Sequence, residues 1–416
     1  MQLHWIWLAT RAGLSDRGRM ALLQRFADAE DIYYAEAGEY ARIDGLSAEA
    51  VAALQEKSLQ GAEQILADCR RENIHILTWQ DALYPKRLKN IADPPVVLYY
   101  KGRLPEVDAL PAVAVVGTRN ASAYGLSTAK RLGYQIAACG GLLVSGAASG
   151  VDTLAMRGAL SANAAVIGVL GCGADVVYPA SNRALYADTA NYGCLLTEFP
   201  PGTPPIGWNF PKRNRIISGL CCGVLVVEAP EKSGALITAR AAADQGRDVF
   251  VVPGNIDVPS CVGSNALLRD GAIAVTSGWD VMSEYEVIFP GKITKNTTPA
   301  FQSAYPDEVQ AQSAQQPLKV AQNTKTPTSK ERKGLFGKKK EIDNKATQPY
   351  IDAEKQKSQL TAGEADLLSL LTEEEQLVDD VIAEAGLPAG QVLAMLTMLE
   401  IKGYITRLPG KRIAKK

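Results

Sequence analysis

The residue types in Phe210-Pro211-Lys212-Arg213-Asn214-Arg215 point more directly to chemistry than any other stretch of this chain. Proline suits the first position of a helix, where its missing N–H would be unpaired anyway, and Ile216, Ile217 and Leu220 follow at helical spacing. The expected helix carries Lys212, Arg213 and Arg215 in its opening turn. That is the positive end of the helix dipole, where acidic side chains are favoured by ~0.3–1 kcal/mol. Two arrangements reconcile three cations with such an end. Either an anion binds at the free backbone N–H groups, or the segment is a surface turn whose cations pair with neighbouring carboxylates.

Several other chemistries find no residues to carry them. Two histidines, His4 and His75, give no basis for a His-based triad or a His-rich metal site. The seven cysteines contain no C-x-x-C pair, and the adjacent Cys221 and Cys222 are poorly spaced for joint ligation. No G-x-x-x-x-G-K-[S/T] occurs, and Gly117-Thr118-Arg119 offers one glycine where a dinucleotide fingerprint needs three. No catalytic residue, cofactor or metal is therefore expected. Net charge is −1, so any polyanion must be held by a local patch. No apolar run is long enough to span a bilayer. The start, Met1 to Trp7, lacks the charged head and long apolar core of a signal peptide. A cytoplasmic protein with reduced thiols and no membrane contact is expected.

The elements that must position the cations follow from hydrophobic patterning. Near-continuous apolar runs occur at 113–116, 142–144, 166–170, 194–196, 224–227, 249–252 and 272–275. Strands buried on both faces read this way, and the spacing leaves room for a helix between each pair. The fold class is α/β, with a doubly wound, mostly parallel sheet. Residues 1–65 form an N-terminal helical cap of helix-hairpin-helix (SAM-like) type, with Ser47 as an N-cap. The cap serves either as a structural cover or as a presenter of backbone amides to DNA phosphates. Residues 66–287 form the core, and residues 288–360, rich in Thr, Gln, Ser, Pro and Lys, form a disordered linker with a Lys338-Lys339-Lys340 cluster. Residues 361–416 read as three helices and a two-stranded hairpin, a winged-helix pattern. Its third helix carries Gln391 and neither Arg nor Lys, which favours protein contact over base reading.

Ligands of doubly wound folds bind beyond the carboxyl ends of the strands. Those ends supply Gly117-Thr118-Arg119, Ser145-Gly146, and Ser233-Gly234 at another helix start, beside Phe210, Lys212, Arg213 and Arg215. Hydroxyls, amides, cations and one aromatic ring suit a sugar-phosphate backbone with a single stacking platform.

The same residues carry a resemblance. Val116-Gly117-Thr118-Arg119, Tyr124-Gly125, Val144-Ser145-Gly146, Gly150-Val151-Asp152, Tyr178-Pro179, Phe210-Pro211, Arg213-Asn214-Arg215-Ile216-Ile217, Val227-Glu228-Ala229, Ser233-Gly234 and Pro253-Gly254 stand in the order and spacing of the DNA-processing protein A (DprA, or Smf) family. The chain resembles that family over most of its ordered length. The resemblance implies a Rossmann-like core that binds single-stranded DNA without strong sequence preference, forms a homodimer, and helps load the RecA recombinase during natural transformation. It implies no enzymatic activity. Gly117, Thr118, Arg119, Phe210, Lys212, Arg213 and Arg215 would contact DNA, with Ser145, Gly146, Ser233 and Gly234 along the same rim. Ala155-Met156 stands where the family often has Ala-His, and the linker is longer than the family pattern implies. The alternative is a nucleotide phosphoribohydrolase on the same fold. Its Pro-Gly-Gly-x-Gly-Thr signature is replaced here by Glu228-Ala229-Pro230-Glu231-Lys232-Ser233-Gly234.

Overall fold

The computed structural model describes residues 2–295 and, toward the C-terminus, 362–372, 376–385, 387, 389–408 and 412–415. Of the linker expected over 288–360, residues 296–360 lie outside the described residues, and the Lys338-Lys339-Lys340 cluster lies there with them. The chain divides into two compact units between Lys319 and Val320.

The first unit opens with six helices, α1 (Gln2–Ala9), α2 (Asp16–Arg25), α3 (Ala29–Tyr34), α4 (Ala37–Tyr40), α5 (Ala48–Gln55) and α6 (Gln60–Arg71). Ser47 caps α5 as the sequence predicts, its Oγ accepting from the Ala50 N–H at 3.1 Å. α6 runs unbroken through the expected boundary at residues 65 and 66. Trp5, Ile6, Trp7 and Leu8 of α1 share one core with Val97 and Tyr99 of the sheet, so the cap and the sheet are packed as one body.

Nine strands follow: β1 (His75–Thr78), β2 (Val97–Gly102), β3 (Ala112–Val116), β4 (Leu142–Ser145), β5 (Val166–Val169), β6 (Cys194–Thr197), β7 (Gly223–Val226), β8 (Asp248–Val251) and β9 (Ile273–Ala274). They form one sheet in the order β1-β2-β6-β5-β4-β3-β7-β8-β9. From β6 to β9 all pairings are parallel. Every residue of β3, β4, β5, β6 and β7 is buried, which is why each reads as a continuous apolar run. The antiparallel β1 and β2 extend the sheet beyond the seven strands the patterning predicts. Both are only partly buried at one end, β1 opening on His75 and β2 closing on Lys101 and Gly102, and the apolar run 96–100 that marks β2 is not among the predicted strands.

The remaining helices of the core are α7 (Lys86–Lys89), α8 (Ala123–Ala138), α9 (Val151–Ser161), α10 (Arg183–Tyr192), α11 (Asn209–Leu220), α12 (Gly234–Asp244), α13 (Val262–Arg269) and α14 (Gly278–Met282). α8 and α9 cross in backbone contact. A Cβ on Gly158 would lie 2.0 Å from the Lys130 carbonyl oxygen, and one on Gly133 2.2 Å from that of Ala155. This crossing holds the start of α9 close to the end of β4. The core also runs past its expected limit at residue 287: Phe289 is buried, and the Thr294 N–H donates to the Cys139 carbonyl at 3.1 Å.

The second unit contains helices Ala362–Leu370, Val378–Ala385 and Ala389–Ile401, then strands β11 (Ile405–Leu408) and β12 (Arg412–Lys415) of the expected hairpin. A short extra strand, β10 (Gln376–Leu377), completes a three-stranded sheet in the order β10-β12-β11. Leu367, Val381, Val392, Leu396, Leu399 and Ile413 make its core.

Candidate nucleic-acid interface

From β3 the chain steps outward through β4, β5 and β6, then returns across the sheet to β7 on the other flank of β3. At such a reversal the loops leaving the strand ends part, and a crevice opens between them. Here the crevice is a cleft of ≈ 540 Å³ between the exits of β3 and β7. Its walls are tied by backbone bonds: the Thr118 N–H donates to the Glu228 carbonyl at 2.7 Å, and the Val151 N–H to the Thr118 carbonyl at 3.3 Å. The buried Glu228 carboxylate accepts from the Ser122 Oγ at 2.7 Å and the Ser122 N–H at 3.1 Å. It thereby fixes the loop that carries Arg119.

Gly117, Thr118, Arg119, Phe210, Arg213, Ser233 and Gly234 line this cleft, as the sequence predicts. Ser233 is the N-cap of α12, its Oγ accepting from the Ala235 N–H at 3.3 Å, and the first turn of α12 holds no acidic residue. The positive end of that helix therefore faces the cleft uncompensated. Arg119 is exposed, its guanidinium 5.3 Å from the centre of the Phe210 ring. Tyr178 lies against the same ring at 5.4 Å and 37°. A small adjoining recess of ≈ 40 Å³ is bounded by Gly146, Tyr178 and Phe210.

Arg213 reaches the cleft from below and is 4% exposed. Its Nη1 donates to the carbonyls of Gly146, at 2.7 Å, and Val169, and its Nε to Asn214 Oδ1 at 3.2 Å. Asp152, the only carboxylate among the described residues of the cleft lining, accepts from the Gly146 N–H at 3.1 Å and the Ala148 N–H at 3.4 Å. Burial pushes the Asp152 carboxyl up to about 6, with Arg213 pulling the other way. Burial likewise lowers the Arg213 guanidinium from its ordinary value, while Asp152 raises it. For this pair, desolvation outweighs mutual attraction. Gly146 has to be a glycine, because its Cβ would lie 2.6 Å from Arg213 Nη2 and 2.7 Å from Asp152 Oδ2.

The structure places three of the expected contact residues, Ser145, Lys212 and Arg215, outside the cleft lining. The Ser145 hydroxyl is fully buried and donates to the Val115 carbonyl at 2.7 Å, so it pins β4 to β3 beneath the rim. Arg215 is 7% exposed and holds Glu198 through two bonds of 2.7 and 2.8 Å. It also bonds the Asp93 carbonyl at 2.9 Å and approaches Asp16 of α2 at 3.5 Å. Burial alone would lower its guanidinium, yet Glu198, Asp16 and Asp93 together keep it raised. Lys212 lies 3.4 Å from both Asp16 and Glu198. Neither Lys212 nor Arg215 lines the cleft. The helix also starts earlier than predicted, at Asn209 with Trp208 as N-cap, which puts Pro211 at the third helical position and both arginines in the second turn. Proline is tolerated there because the first turn's N–H groups have no helical partner. The cations of the motif are thus mostly matched by the protein's own carboxylates.

Lys232, Tyr178, Asp152 and Asn214, which the sequence motifs include but do not mark as contacts, also line the cleft. Lys232 was the easiest to find, since it directly precedes the Ser233-Gly234 helix start. Neither Arg119 nor Lys232 has an ion-pair partner among the described residues. They are the cations the cleft offers outward, with Arg213 supplying charge from its floor.

Sheet, cleft and second unit together define a Rossmann-like α/β protein joined to a winged helix. A family model described as DNA recombination-mediator protein A matches residues 75–286, and one described as DprA winged helix domain matches residues 352–411. The chain belongs to the DNA recombination-mediator protein A (DprA/Smf) family. It is 35% identical to Protein Smf of Synechocystis over 85% of this chain and 83% of that one. It is 42% identical to the DNA processing protein DprA of Bacillus subtilis over 53% of this chain and 74% of that one. Among solved structures, DNA processing protein A from Streptococcus pneumoniae superposes with a TM-score of 0.60 at 36% identity, covering 68% of this chain and 98% of that one.

Proposed function

We propose that this protein binds single-stranded DNA without sequence preference in the cleft between β3 and β7, and hands the strand to the RecA recombinase during natural transformation. The observation that carries the reading is the cleft itself. It is open and lined by Arg119, Lys232 and Arg213, with one carboxylate that Arg213 already answers, and with Phe210 and Tyr178 as ring surfaces. Phosphates of a flexible strand need such cations, and its unpaired bases need such rings. The recombinase step is supported by the description of the family model as a recombination mediator. The protein acts by binding, and no catalytic residue is assigned to it.

Action as a homodimer in the cytoplasm belongs to the same proposal. β9 is the edge strand on one side of the sheet and leaves Ile273 exposed, which gives a surface for a second copy. All seven cysteines are unpaired, in keeping with a reducing compartment. The winged-helix unit is assigned to protein contact: the third helix shows Leu393 and Met398 to solvent and carries Gln391 but no Arg, Lys or Asn.

A gel-shift series comparing single-stranded with double-stranded oligonucleotides across salt, with and without recombinase, tests the proposal. Preference for the single strand, steep weakening with salt and faster recombinase filament formation are expected. Preference for duplex overturns it.

A further inference from the structure

We infer that Trp208 is a second base-stacking platform, placed at the mouth of the cleft, which takes the nucleobase next to the one held at Phe210. The inference rests on the single-strand reading and names a further subsite for the same ligand. Of the five tryptophans, Trp5 and Trp7 are buried, Trp79 and Trp279 are half-buried, and Trp208 is 77% exposed. Its ring makes no aromatic contact and its indole N–H meets no acceptor among the described residues. The Trp208 side chain also does nothing to cap its helix. It occupies the N-cap of α11 without a capping oxygen, at a position where Ser, Thr, Asp or Asn would stabilise the end. The peptide unit that follows it is nevertheless held at both ends: the Asn209 N–H donates to the Ile206 carbonyl at 3.0 Å, and the Lys212 N–H to the Trp208 carbonyl at 3.5 Å. The indole is therefore presented from a fixed base.

Gly207, directly before it, and Phe210, two residues after it, line the cleft. The inner ring is half-buried and held in place. Phe210 packs against Gly171, where a Cβ would lie 2.7 Å from the ring, with Arg119 and Tyr178 around it. The outer ring is open to solvent. A strand whose phosphates follow Arg119 and Lys232 would leave the cleft past Trp208, and any base offers a π-face to an indole.

Fluorescence anisotropy on the full-length protein tests this at one fixed salt concentration. The probes are labelled oligo(dT) and an abasic oligodeoxynucleotide of the same length, which keeps the phosphates and lacks the bases. Trp208→Ala is expected to weaken oligo(dT) binding about 5- to 100-fold, while Trp208→Phe stays within about threefold of wild type. Affinity for the abasic strand is expected to be the same in all three proteins. Wild-type affinity of Trp208→Ala for oligo(dT) overturns the inference, as does an equal loss on the abasic strand, since the ring would then act through the fold. Failure of the wild-type protein to bind oligo(dT) is a different outcome, which overturns the single-strand reading of the cleft and this subsite along with it.

Discussion

Arg119 and Arg213 both line the cleft, yet their surroundings give them different work. Arg119 is exposed and touches the protein through the Phe210 ring, so its charge is available to a phosphate. Arg119→Ala is expected to leave the melting temperature unchanged and to weaken oligo(dT) binding about tenfold. The slope of log affinity against log salt should fall by about 0.7, the share of one phosphate contact on a single strand. Arg213 is enclosed, and its removal strands Asp152 in a buried site. Arg213→Ala should therefore cost about 3–5 kcal/mol in denaturant unfolding. Asp152 also sets a pH dependence. Its carboxyl is raised from 3.8 to about 6 by burial, so the folded state binds this proton more tightly than the unfolded state does. Its stabilising contribution is full below about pH 4, declines as pH rises toward 6, and is flat above that. On the same axis the cleft gains positive charge as pH falls through 6. Oligo(dT) binding should tighten from pH 7 to 5 in the wild type, and this step should vanish in Asp152→Asn.

At the scale of elements, the network of Asp16, Glu198, Asp93, Lys212 and Arg215 joins the N-terminal cap to α11. α11 in turn carries Phe210 and Arg213 into the cleft. Arg215→Ala should lower the melting temperature and weaken DNA binding through misplaced α11, with the salt slope preserved. An unchanged melting temperature with a reduced slope would instead restore Arg215 as a direct phosphate contact. The α8–α9 crossing is a second point of strict geometry. Gly158→Ala places a methyl carbon against the Lys130 backbone, and an overpacking loss of about 1–3 kcal/mol is expected, measured by chemical denaturation.

At the scale of the whole molecule, basic and acidic residues nearly balance, so affinity for DNA has to come from the cleft rather than from the overall field. The two units have separate cores. The first unit has its own core, and 68% of this chain matches 98% of the Streptococcus pneumoniae structure. A variant ending at residue 295 is therefore expected to remain folded and to bind oligo(dT) within about threefold of the full chain. A larger loss would assign part of the DNA contact to the residues removed.

The five strands β3 to β7 were legible because a strand covered on both faces must be apolar at every position, and that signal is local. β8 and β9 are partly exposed and showed only through the apolar runs at 249–252 and 272–275. The location of the cleft was legible too, since ligands of such sheets gather beyond the strand ends. The winged-helix unit followed from helical spacing and a turn. Tertiary structure alone decided which cations face outward. Arg215 meets Asp16 across 199 residues, and Arg213 meets the Gly146 carbonyl across 67. Charge pairing at that range leaves no trace in local pattern, because a cation beside a helix start reads the same whether a phosphate or a distant carboxylate answers it. The sequence called for an anion at α11. The fold supplied Glu198, Asp93 and Asp16 for that purpose, and left Arg119 and Lys232 open to solvent.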